Sequence, residues 1–292
     1  MAVDRLVNLL AAVTLIELMV TLGLGVKASD VLRVGQQWGL LSRAFLANYI
    51  LVPGAALGLL LFHTSPMVAA GILVAAVCPG APYAPPFTAM AKGNVTVSIG
   101  LMVALATSSA VVAPLLLGLL LPVIAGNATI DIHVVKMIGT LFGAQLLPLC
   151  LGIWIRHSHA ALANRLKMPA SALSLSLNLV LLTVIIIVQF QTLADIHVRG
   201  YFGMLCLVLA TLVAGLLVTQ RGQADTAKSM ILTTSVRNVG VSLVIATASF
   251  PGTAAITSAT AYALFQIVVI ALVALTWGRY TPKIHLVEQK AA

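Results

Sequence analysis

Apolar runs of about twenty residues recur along the whole chain, and the charges gather in the short stretches between them. Inside a bilayer no water can pair with a backbone N–H or C=O, so a chain crosses either as helices or as a closed barrel. Barrel strands are short and alternate apolar with polar residues. These runs are continuous and long enough for a helix to cross a core about 30 Å thick. Composition agrees: 61% of the 292 residues are hydrophobic and 8% charged, against about 25% charged in an ordinary soluble domain. The chain reads as an all-α polytopic membrane protein. Its connections are too short for a second folded domain, so 1–292 is taken as one integral membrane unit.

Nine transmembrane helices are expected, at about 7–26, 38–62, 67–91, 95–120, 134–155, 171–193, 200–219, 228–250 and 254–278. The first exceeds the apolar part of a secretory signal and follows a single basic residue, Arg5, so it reads as a retained helix. An odd count puts the termini on opposite faces. One face then holds Lys27, Arg33, Arg43, Lys92, Arg156, Arg165, Lys167, Arg221, Lys228, Arg279, Lys283 and Lys290, and the other only Arg5, Lys136 and Arg199. Cytoplasmic loops collect Lys and Arg. The expected orientation is therefore N-terminus outside and C-terminus cytoplasmic, in the cytoplasmic (inner) membrane of the cell.

The net charge of +9 lies in these loops without interleaved aromatics, so no nucleic-acid partner is expected. Cys78, Cys150 and Cys206 fall inside apolar runs at no metal-ligand spacing, and His157 with His159 reads as a solvated loop pair. No metal or other cofactor is expected. No nucleophile–base set or nucleotide loop lies in the spans, which argues against an enzyme.

Two places break the pattern. The stretch VCPGAPYAPPF, residues 77–87, packs Pro79, Gly80, Pro82, Pro85 and Pro86 into a span. Each proline lacks an N–H and disturbs the preceding turn, and broken backbone survives at membrane depth only inside protein or beside a watery cavity. The second is TTSVRNVG, residues 233–240, which carries Arg237 near the middle of a span. An arginine there normally faces the bundle interior or a cavity. Taken as two groups of four separated by the fifth helix (repeats of about 7–120 and 171–278), the chain has each anomaly on the third helix of its group. That is the pattern of inverted repeats whose discontinuous helices form a transporter site near the midplane.

The segments MVTLGLGVKASDV (19–31), NYILVP (48–53), CPG (78–80), AMAKGNVTVS (89–98) and SVRNVGVSL (235–243) carry a resemblance to the bile acid:sodium symporter family. The resemblance implies a panel domain of helices one, five and six, and a core domain in which helices three and eight cross, with substrate bound between them. It also implies a sodium site that this chain departs from. In sodium-coupled members a serine and an asparagine follow the CPG motif; here those positions are Ala84 and Pro85. A helix-eight glutamate is replaced by Thr233, and a glutamine beside the retained Asn238 by Arg237. A helix-two glutamine is replaced by Asn48; Ser98 is kept, and a threonine one turn on becomes Met102. A guanidinium where a cation would sit repels it strongly in low dielectric.

The candidate substrate and ion-site residues are Glu17, Asn48, Pro82, Tyr83, Ala84, Pro85, Ser98, Thr233, Ser235, Arg237 and Asn238. Arg237 has two candidate partners: Glu17, the one acidic residue deep in a span, or a bound anion. Glu17 is also the candidate for proton coupling. Gln145, Asn178, Gln189 and Gln266 read as bonds between helices, and Gly23 and Gly25 as close-packing positions. The expected function is secondary transport of a small organic anion, bile acid-like or a carboxylate or sulfonate, by alternating access and without the usual sodium sites. A channel or non-transporting sensor on the same fold is the alternative.

Overall fold

The computed structural model describes residues 2–60, 66–125, 133–188, 190–191, 198–220 and 222–280; Gln189 lies outside them. Fourteen helices follow in chain order. They are α1 (Ala2–Gly25), α2 (Ala28–Gly35), α3 (Trp38–Leu46), α4 (Val52–Leu60), α5 (Pro66–Ala76), α6 (Ala84–Met90), α7 (Val95–Ala125), α8 (Val134–Leu141), α9 (Leu147–Ser158), α10 (Ala160–Val188), α11 (Val198–Leu217), α12 (Ala224–Ser235), α13 (Val239–Ser249) and α14 (Ala254–Tyr280). Two π-turns, Ala47–Leu51 and Phe142–Leu146, join α3 to α4 and α8 to α9 into continuous rods.

Eight helical rods among the described residues are long and apolar enough to cross a membrane, counting α12 and α13 as one. The protein is a multi-pass membrane protein. The segment expected at 67–91 is not among the eight, because α5 and α6 are 11 and 7 residues long. The helix expected at 171–193 starts earlier, at Ala160. The connection between the first two spans contains α2, whose polar and apolar residues lie on opposite faces; its Val34 is buried against Gly100 of α7.

The prolines act differently from the way their number suggests. Pro114 and Pro122 sit inside the 31-residue α7, and Pro169 inside α10, without ending either. Pro85 and Pro86 stand in the first turn of α6, where the missing N–H would have had no partner anyway. They start a helix rather than stop one. The interruption itself is Val77–Tyr83, with Gly80 at φ +81°. A second, shorter one is Val236–Asn238, where Val236 is extended and Asn238 caps α13 through its side chain.

Helix α1 packs on α9, α10 and α13; α5 packs on α14; α11 packs on α12. Small residues set the closest approach. A Cβ on Gly152 of α9 would fall 2.3 Å from the Val20 carbonyl and 2.8 Å from the Gly23 Cα, so the backbones of α1 and α9 touch there. Gly25 plays no such part, since its nearest neighbour would be Lys167 at 3.7 Å. Gly152→Val is expected to lower stability by roughly 1–3 kcal/mol through overpacking, read as a lower melting temperature in detergent. An unchanged melting temperature would mean that α1 and α9 can separate freely.

Candidate functional site

The two interruptions meet. The Asn238 backbone N–H donates to the Cys78 carbonyl at 2.8 Å, and its side-chain amide donates to the Gly80 carbonyl at 3.2 Å. The Asn238 Oδ1 accepts from the Val241 N–H at 3.2 Å, so one asparagine caps α13 and holds the other broken strand. Both broken strands thereby satisfy polar backbone that has no water to bond with.

Arg237 lies between them, fully buried. Its guanidinium donates to the Asn48 Oδ1 at 2.8 Å, the Ala76 carbonyl at 3.2 Å and the Thr234 carbonyl. Its backbone is held by one amide: Gln266 accepts from the Arg237 N–H at 3.0 Å and donates to the Arg237 carbonyl at 3.2 Å. Gln266, on α14, therefore replaces the peptide partner that a helix would have supplied.

Ala76 is the last residue of α5, and Thr234 is next to last in α12. Each helix end carries roughly half a negative elementary charge on its free carbonyls. Two converging ends therefore supply about one negative charge, enough to offset one guanidinium without a carboxylate. Asn48 reaches this point from the π-turn at Ala47–Leu51, and its amide also donates to the Ala44 carbonyl at 2.9 Å and to Thr234 Oγ1 at 3.3 Å. A π-turn widens the helical ladder locally, a feature common at functional sites.

A second polar cluster ties α6, α7 and α12 together. Thr88 Oγ1 lies 3.0 Å from Ser98 Oγ, which lies 3.0 Å from Thr233 Oγ1, and Thr88 also donates to the Ala84 carbonyl at 2.9 Å. All three hydroxyls are buried. These hydroxyls bond to one another.

The other candidate residues fall around these two centres or away from them. Ala84 and Pro85 are buried at the start of α6, and Pro82 and Tyr83 are half-buried in the interruption before it. Ser235 turns its hydroxyl back to the Ile231 carbonyl at 2.7 Å and contacts neither centre by a hydrogen bond.

Glu17 is elsewhere. It is half-buried on α1 and accepts from Thr21 at 2.7 Å and from Ser174 of α10. No ion pair joins it to Arg237, so of the two partners weighed from the sequence, Glu17 is excluded by geometry. The guanidinium is directed instead at helix-end carbonyls, which offer the same negative charge without a second ion to desolvate.

Three contributors escaped the sequence reading: Ala76 and Thr234 through their carbonyls, and Thr88; Gln266, read from the sequence as a bond between helices, is one, through its clamp on the Arg237 backbone. Only Thr88 carried a usable signal, lying one helical turn beyond Ala84.

The comparison with known proteins bears on this geometry. No curated protein is similar enough to count as a match. The model of the Sodium Bile acid symporter family matches residues 12–196, which include the first interruption and Ser98, while Arg237 lies beyond them. The match spans more than half of the sequence, and the chain belongs to the sodium bile acid symporter family.

Proposed function

We propose that this protein is a secondary transporter that carries a small organic anion across the cytoplasmic membrane by alternating access, and that Arg237 serves as its built-in cation. Membership of a transporter family supports the first part. One observation carries the second. The ends of two broken helices and an Asn48 oxygen converge on a guanidinium, at the kind of place where unwound carbonyls and half-helix ends hold a coupling sodium in other transporters. A resident positive charge fills that role permanently and repels a second cation.

The arrangement fits nine membrane crossings, with α5–α6 and α12–α13 as one interrupted crossing each. The packing of α1 on α9 and α10 fits a panel that slides against the remaining helices, with Asn238 and Arg237 keeping the interrupted pair rigid. The distribution of Lys and Arg favours a cytoplasmic C-terminus.

With the cation site filled, the driving ion in this proposal is the proton. Glu17 is the candidate carrier, because it lies where α1 meets α10 and two hydroxyls already hold its carboxylate. Flux in proteoliposomes is expected to be unchanged when sodium is replaced by choline. It should fall at least tenfold when the proton gradient is dissipated or when Glu17 is changed to Gln. A steep, saturable sodium requirement would refute the built-in cation. Undiminished, still proton-driven flux in Glu17→Gln would remove Glu17 from the mechanism.

A further inference from the structure

At the end of the bundle away from Lys136, α1, α9 and α10 meet in a corner rich in cations. His159 alone turns α9 into α10, and Arg156 of α9 donates across that turn to the Asn164 Oδ1 of α10. A Cβ on Gly25 would lie 3.7 Å from the Lys167 Cε, so the Lys167 side chain covers the end of α1, two residues before Lys27. Lys27, Arg156, Arg165 and Lys167 are thereby gathered at one end of three packed helices. Segments 23–36 and 150–170 hold a single acidic residue, Asp30. Helices α1 and α9 end at this corner while α2 and α10 begin there. Their terminal partial charges, roughly half an elementary charge each, cancel, and the side chains decide the sign.

We infer that this corner binds the headgroup of an anionic phospholipid, whose acyl chains lie along the exposed face of α10. The binding is independent of what the protein carries.

Three arguments select this occupant. The first is depth. At 1.5 Å per residue the 29 residues of α10 reach about 43 Å, more than the roughly 30 Å of hydrocarbon. Its polar end is the Ala160 end, so Asn164, Arg165 and Lys167 stand in the headgroup layer. Trp154 marks the same layer: it is exposed, its ring meets His159 edge-on at 6.1 Å, and tryptophan favours the membrane–water boundary. The second is charge. Basic residues clustered at the end of a span attract acidic headgroups, and a guanidinium such as that of Arg165 matches a phosphate with two parallel bonds. Arg43, at the same end of the molecule, is committed differently, since it donates to the Gly39 and Val218 carbonyls. The third is the apolar surface beside the charges. Leu166 and Met168, each adjoining Lys167 in the chain, are exposed. A soluble anion would leave both uncovered, whereas a lipid covers them with its chains.

The test uses full-length protein carrying Trp38→Phe and Trp277→Phe, which leaves Trp154 as its one tryptophan. In mixed vesicles, brominated phosphatidylglycerol should displace phosphatidylcholine around Trp154 with a preference of at least roughly fivefold, read from fluorescence quenching. The preference should vanish in Lys27→Gln/Arg165→Gln/Lys167→Gln, and it should fade in 1 M salt, where the screening length is about 3 Å. Lys167→Arg should keep it. All three substituted positions are exposed, so an unchanged melting temperature in phosphatidylcholine serves as the folding control. Mass spectrometry of phosphatidylglycerol retained by the unsubstituted chain and by the triple variant gives the same comparison without the tryptophan changes. Equal quenching by the two lipids, or a preference that survives the triple variant, would overturn the site. Displacement of the lipid by inorganic phosphate at matched ionic strength would mark a pocket for a free anion and overturn it as well. Trp154 shielded from both lipids in a cross-linkable dimer would assign this face to a second copy of the chain and equally defeat the proposal.

Discussion

Arg237→Ala is expected to destabilise the ligand-free protein by about 3–5 kcal/mol, the range for breaking a buried charge arrangement by removing one member. The change leaves the Asn48 Oδ1 and the Ala76 and Thr234 carbonyls without their donor. Each buried orphan is worth about 1–3 kcal/mol, and relief of the guanidinium's own desolvation offsets part of the sum. The oxygens left behind form an empty cradle for a small cation. Sodium should therefore stabilise Arg237→Ala while leaving the parent protein unmoved, as melting curves in sodium and choline would read directly. The same curves test the rejected pair. Adding Glu17→Gln to Arg237→Ala should give additive losses, because residues without a shared partner do not couple. A variant within 1 kcal/mol of the parent would show that the helix ends need no cation, since 1 kcal/mol is below the price of even one orphaned acceptor. Equal sodium stabilisation of both proteins would show that the site is open despite Arg237.

How far these features could be read from the residues depended on where the constraint lay. The spans were legible because hydrocarbon leaves the backbone no alternative to helix. The interruption at Val77–Tyr83 was legible because Pro79, Gly80 and Pro82 each remove or redirect a backbone bond. The one at Val236–Asn238 contains neither proline nor glycine and was legible only through the energetic oddity of Arg237. Of its partners Asn48 stood among the candidates, but the carbonyls were not legible. Ala76 and Thr234 act through carbonyls that every residue owns, and nothing in their side chains marks them as helix ends. Searching for a charge to pair with a charge led to Glu17, since side-chain identity does not reveal where two helix dipoles converge. The π-turns at Ala47–Leu51 and Phe142–Leu146 were hidden for the same reason. They are set by what Asn48 and Gln145 reach across to: Thr234 and Arg237 in one case, the Ala106 carbonyl at 2.5 Å in the other.

These placements share one physical logic. At the crossing a neutral amide or a helix end takes the part that a carboxylate plays in water-exposed sites. Asn238 and Gln266 each use a donor and an acceptor to satisfy broken backbone without adding a charge to be desolvated. With such partners in place, a single ionised side chain persists at the crossing.

The second large effect is expected at Gly80. Its φ of +81° lies in the left-handed region, where a side chain costs roughly 1–2 kcal/mol. A Cβ there would also stand 2.3 Å from the Ala106 nitrogen and 2.6 Å from the Ala106 Cα. Both are backbone atoms of α7, so no side chain can swing aside, and overpacking adds roughly 1–3 kcal/mol. Gly80→Ala should therefore lose about 2–5 kcal/mol in all. Relief of the clash would push the Gly80 carbonyl away from the Asn238 amide, loosening the cap of α13 and the tie between the two interruptions together. Flux should then fall further than the stability loss alone accounts for, because the pair no longer moves as one body. Ala106→Gly in the same chain should recover little, since it removes only the Cβ contact at 2.9 Å and neither the backbone contacts nor the strain. Gly54→Ala is the internal comparison: Gly54 lies within α4 with nothing within 4 Å, and alanine there should stabilise the helix by about 0.5–1 kcal/mol. Opposite signs for the two glycine-to-alanine changes are the expected result. A Gly80→Ala variant that melts with the parent would mean that α7 yields at Ala106 and that the interruption is soft.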